Sequence, residues 1–98
     1  MANTLIWSTR ARSEYDKLQE YLFEEWGEEI TQRVITEIDQ TVVRINSSPE
    51  LFPIYKKNNN IRRCVASPQT SIYFKVNKNT IEIITLFDNR QNPKKRKL

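Results

Sequence analysis

Ile81-Glu82-Ile83-Ile84-Thr85-Leu86-Phe87 decides how the chain is read, together with the Asp88-Asn89-Arg90-Gln91-Asn92-Pro93 that follows. Five of the seven residues are large and apolar, three of them isoleucine, and only one is charged. A short, β-branched run of this kind suits a strand buried on both faces, not a helix. Such a strand belongs inside a small sheet. The polar turn after it then sets Asp88 and Arg90 at the strand's end.

Working back from there, residues 61–66 and 70–76 read as two further strands. Ser67-Pro68-Gln69 makes the turn between them. In the second, Ile72, Phe74 and Val76 share one face while Ser71, Tyr73 and Lys75 share the other, as the two-residue strand period requires. Asn77-Lys78-Asn79 is a tight turn into residues 80–87, credited to asparagine's tolerance of positive φ. The three strands form an antiparallel meander. Before them, residues 50–60 read as an exposed loop whose base is anchored by Leu51, Phe52, Ile54 and Tyr55.

The N-terminal half is helical. Thr4-Leu5-Ile6-Trp7 is a short first strand, and Ser8 and Thr9 are both good N-caps. Ala11, Tyr15, Leu18, Leu22 and Trp26 then recur at helical spacing as one apolar stripe. Glu14, Asp16, Lys17, Glu20, Glu24 and Glu25 form its solvated face. Gly27, the one glycine, is a corner. A second helix over 28–45 carries the stripe Ile30, Val34, Ile38, Val42 and Ile45. Pro49 stops it, because the residue before a proline is pushed out of helical geometry. So short a corner makes the two helices an antiparallel hairpin. The order β-α-α-β-β-β gives an α+β domain, a helical hairpin packed on a small, mainly antiparallel sheet.

Ninety-eight residues support one domain, taken as 1–93, with 94–98 as a basic, disordered tail. A single glycine and no glycine-rich motif argue against a phosphate-cradling loop. With no histidine, Ser/His/Asp and Cys–His catalysis and the usual histidine metal sites are excluded; no metal and no cofactor are expected. Cys64, the one cysteine, cannot form an intramolecular disulfide and reads as a small buried apolar residue, which fits a reducing compartment. No signal pattern and no apolar run of about 20 residues are present, so a cytoplasmic protein without a membrane partner is expected.

Charge is segregated. Residues 1–50 hold five basic and ten acidic side chains, and residues 51–98 hold eleven basic and two acidic. The basic half attracts phosphate or an acidic partner, or is simply a solvated surface. Its candidates are Lys56 and Lys57 in the loop, Arg62 and Arg63 side by side on a strand and so on opposite faces, and Arg90. An arginine fork holds phosphate bidentately and keeps its charge. Arg90 also has Asp88 as an ion-pair partner close by in sequence. Tyr55 and Tyr73 offer a ring to stack or a hydroxyl to donate, or else pack as core.

With this order in place, the chain resembles the RelE/ParE superfamily of toxins from bacterial type II toxin–antitoxin pairs, of plasmid-stabilisation type. Trp7-Ser8-Thr9-Arg10-Ala11 resembles its strand and Ser-x-x-Ala helix start, and Tyr21-Leu22 with Trp26-Gly27 its helix end and corner. Pro49, Ile61-Arg62-Arg63 and Ile72-Tyr73-Phe74-Lys75-Val76 resemble its loop and middle strands. Ile81-Glu82-Ile83 through Arg90-Gln91-Asn92-Pro93 resembles its last strand and closing Arg-x-x-Pro. The resemblance implies a cognate antitoxin, small and acidic or extended, and growth inhibition by one of two routes. In the RelE branch it implies ribosome-dependent cleavage of messenger RNA, with Arg63 and Arg90 matching catalytic arginines. That branch often has a tyrosine or histidine after the last arginine, and this chain has neither. The ParE branch, which poisons DNA gyrase and has no such catalytic set, fits the long hairpin and the Arg-x-x-Pro ending better. A binding domain of the same fold without toxicity is the third possibility.

Overall fold

A computed structural model describes residues 4–56 and 60–88. Strand β1 (Thr4–Trp7) leads into a helical run over Thr9–Ser47. Ser8 is its N-cap, the Oγ accepting from the Ala11 N–H at 2.9 Å. Gly27 breaks the run, at φ 87° and ψ 178°, into α1 (9–26) and α2 (28–47). Unbroken, 39 residues would extend about 58 Å at about 1.5 Å each, yet the longest dimension of the molecule is 39 Å. The arms therefore fold back on each other. The Tyr15 hydroxyl on α1 donates to Asp39 Oδ1 on α2 at 2.8 Å, and the two residues lie equally far from Gly27 on either side. The hairpin is as expected.

Ser48 then ends α2, and a single 3₁₀ turn, Pro49–Leu51, follows. The expected loop over 50–60 is more structured than its composition implied. Ile54–Lys56 forms β2, pairing antiparallel with β3 (Ile61–Ser67). A three-residue strand carries too little periodicity to announce itself, and backbone pairing supplied what pattern did not. The chain continues through β4 (Thr70–Asn77) and β5 (Thr80–Asp88). In the β4–β5 turn the positive φ falls on Lys78, at 31°, and not on an asparagine.

The five strands run in the order β1-β5-β4-β3-β2. Three neighbouring pairs are antiparallel, and β1 lies parallel to β5. β5 is thus flanked on both edges. Its pairing with β4 skips Ile84: Phe74 meets Ile83 while Tyr73 meets Thr85. The extra residue is a β-bulge. It explains why the deciding heptapeptide does not alternate strictly. Ile81, Ile83 and Leu86 all join the core beneath the hairpin, with Ile72 and Phe74 from β4 and Ile38, Val42 and Ile45 from α2. On the opposite face Phe87 and Ile84 cluster with Ile61 and Tyr73. Both faces of β5 are therefore covered, as its composition required. The stripe on α1 departs from expectation at its end, where Trp26 is 63% exposed.

Candidate functional site

The strand period decides where the arginines go. Arg62 is opposite Phe74 and Cys64 opposite Ile72, so both turn toward the hairpin, while Arg63, opposite Tyr73, turns away. Arg62 is a clip. Its Nη1 donates to the Phe52 carbonyl at 2.6 Å, and the Phe52 ring meets Phe74 edge-on with centroids 5.9 Å apart. The neighbouring Arg63 N–H donates to the Pro53 carbonyl at 3.1 Å. These contacts fasten the segment after α2 to the sheet.

Arg63 stands on the outer sheet face, half-buried, with Nε donating to Ser71 Oγ at 3.3 Å. Its cross-strand neighbour Tyr73 is fully buried. The Tyr73 ring meets Tyr55 of β2 edge-on, at 4.9 Å and 71°. Lys75 is opposite Ile61 on the same face, two places along β4 from Tyr73, and is half-buried. Lys56 ends β2, exposed. The described part of the candidate surface is thus Arg63, Lys75 and Lys56 around a tyrosine pair, with Arg62 on the other face. Lys75 had not been singled out; the i, i+2 step from Tyr73 would have found it. Lys57 and Arg90 lie outside the described residues.

Cys64 is buried, and burial pushes its thiol pKa up while Arg44 pulls weakly the other way. A thiol held protonated is a poor nucleophile. Among the described residues no group of Cys, Asp and Glu side chains could hold a metal ion, and no helix is long and apolar enough to cross a membrane.

Two features were not foreseen. The first concerns Glu14, which had read as part of a solvated face. β1 ends at Trp7, so β5 beyond Ile83 has no strand on that edge. Side chains from the start of α1 take over. Ser8 Oγ donates to the Ile84 carbonyl at 2.7 Å. Glu14 Oε1 accepts from the Leu86 N–H at 3.2 Å and from Thr85 Oγ1 at 2.6 Å, and Glu14 Oε2 pairs with Arg10 Nε at 3.5 Å. Nothing in helical periodicity marks this, because it depends on where another strand stops. The second feature is a groove of about 520 Å³ between the hairpin and the end of the sheet, floored by Leu18, Leu22, Val34 and Leu86 with Arg10 and Lys17 at its rim.

Against this geometry the comparisons are consistent. The family described as the ParE toxin of the type II toxin–antitoxin system, parDE, matches residues 5–93. No curated protein matches the sequence. Among solved structures, the chromosomal ParDE TA system from P. aeruginosa contains a chain superposing with a TM-score of 0.76 at 16% identity, over 89% of this chain and 96% of that one. A YoeB/ParE toxin from Agrobacterium tumefaciens gives 0.62 at 11% identity, over 88% and 98%. The YoeB dimer from Staphylococcus aureus gives 0.62 at 12% identity, over 93% and 100%. At these identities the likeness is one of fold.

Proposed function

This chain belongs to the ParE toxin family of type II toxin–antitoxin systems, and on that footing we propose that it arrests growth by inhibiting DNA gyrase in the bacterial cytoplasm and is held inactive by a cognate antitoxin. The observation that carries the gyrase reading over messenger RNA cleavage is the state of Tyr73. On the outer face it is the aromatic hydroxyl nearest to Arg63 along the strands, and it is fully buried, with its ring against Tyr55. A ring packed in this way is not offered to a nucleotide for stacking, and Arg63 itself is engaged by Ser71. The surface suits a partner that covers it better than a substrate that must enter it.

Inducible expression in growing bacteria tests the target. Labelled thymidine uptake is expected to fall within minutes while labelled methionine uptake continues. The reverse order would move the protein to the translation-inhibiting branch, with Arg63 and Arg90 as its catalytic candidates. Continued growth with both intact would leave a binding domain only.

The antitoxin, an acidic or extended chain, covers the outer sheet face around Arg63 in this reading, with Lys56, Lys57 and Arg90 at or near the contact and Tyr73 buried beneath it. Changing Arg63 and Arg90 together to glutamate is expected to weaken the complex, measured by titration calorimetry. Unchanged affinity would move the antitoxin to another face.

A further inference from the structure

Residues 20–29, Glu-Tyr-Leu-Phe-Glu-Glu-Trp-Gly-Glu-Glu, form the tip of the hairpin around Gly27 and hold five glutamates and no basic residue. Leu22 is buried, but Phe23 is 60% and Trp26 63% exposed. On one helix, positions three apart are neighbours, so the two rings form one apolar patch framed by carboxylates.

The fold makes little use of this patch. Neither ring belongs to either packed cluster. Among the described residues none of the five glutamates forms an ion pair; Glu28 accepts only a long hydrogen bond from Gln32 Nε2, at 3.4 Å. Glu28 and Glu29 do gain from the positive end of α2, but Glu24 and Glu25 sit at the negative end of α1, where a carboxylate is unfavourable. Glu20 and Glu24, and Glu25 and Glu29, repeat like charge at four-residue spacing. The exposed rings oppose solubility and the repelling carboxylates oppose helix stability, and that combination marks a surface used for binding.

We propose that this tip docks on a basic protein surface of the kind that otherwise holds DNA, its glutamates taking the place of phosphates and Phe23 and Trp26 filling apolar depressions between the cations. The inference rests on the reading that a DNA-handling enzyme is the target, and adds where the toxin grips it. Charge complementarity selects this occupant. An acidic antitoxin suited to the basic half is repelled by the tip, so the two partners use different surfaces. A second copy of this chain offers basic charge too, but joining the tip of one to the sheet of the next is a head-to-tail contact, which runs on into open chains unless the rotation closes. The carboxylates steer the encounter and the rings hold the complex.

The test titrates purified, labelled protein into purified DNA gyrase at low and high salt, with a linear DNA fragment as competitor. Three chains are compared: wild type, Phe23→Ala/Trp26→Ala, and Glu24→Gln/Glu25→Gln/Glu28→Gln/Glu29→Gln. Thermal melts by circular dichroism verify that each folds. Wild type is expected to bind, more weakly in salt and in competition with DNA, and each variant to bind about tenfold more weakly or worse, as hot-spot residues do. Folded variants that bind gyrase like wild type would overturn the docking site while leaving the target standing. A wild type that does not bind gyrase would overturn the target and this proposal together. Salt-sensitive self-association of the wild type, abolished in the glutamine variant and with gyrase affinity unchanged, would assign the tip to a second copy instead.

Discussion

Glu14 acts where the sheet runs out of strand. A β5 amide facing the open edge would otherwise draw on water or another chain, and the Glu14 carboxylate accepts from that amide and from Thr85 at once. Glu14→Ala is expected to lower unfolding free energy by about 1–3 kcal/mol, the range for a partly buried donor that loses a charged acceptor. Glu14→Gln keeps an acceptor and is expected to recover part of that loss; both are read as shifts in the urea midpoint at constant slope. Tyr15 gives a prediction in pH. Burial, helped by the hydrogen bond to Asp39, pushes its phenol pKa from 10.0 up to about 12. The folded chain thus holds a proton that the unfolded chain gives up first. Stability from this group is complete below pH 10 and is lost between pH 10 and 12. The difference in urea midpoint between wild type and Tyr15→Phe is expected to shrink across that window; a constant difference would mean that the phenol does not titrate late.

At the scale of elements, Gly27 is the joint of the hairpin. A Cβ there would meet nothing within 4 Å, so the constraint is backbone geometry alone. At φ 87° and ψ 178° the residue occupies a region that is essentially reserved for glycine, and Gly27→Ala is expected to cost of order 1–3 kcal/mol. A melt unchanged by the substitution would mean that the corner relaxes. The corner was legible because one glycine interrupted two uninterrupted stripes. The meander was legible for the same kind of reason: Ile72, Phe74 and Val76 alternate, and each turn is polar. β2 was not, since Ile54–Lys56 is a strand only because β3 lies beside it. Nor was the bulge at Ile84, a local miscount between two strands that neither strand records alone. Of the candidate residues, the opposite facing of Arg62 and Arg63 followed from strand period, whereas the Arg62 bond to the Phe52 carbonyl did not, because it joins residues ten apart in the chain that no periodicity links. Trp26 misled, since helical spacing cannot tell a stripe that reaches the core from one that overhangs it.

Across the whole molecule, the first and last described strands are side by side. Thr4–Trp7 pairs in parallel with residues 80–83. A chain lacking residues 1–7 would leave the β5 edge bare over residues 80–83, and it is expected to aggregate or elute as large oligomers on size exclusion where the full chain does not. The same pairing has a consequence during synthesis. The hairpin and the meander each rest on contacts close in sequence, whereas β1 must wait for a strand made more than seventy residues later. A ribosome therefore releases nearly the whole polypeptide before the sheet can close. Until then a newly made molecule is an unfinished shape, and any antitoxin already in the cell has that interval in which to meet it.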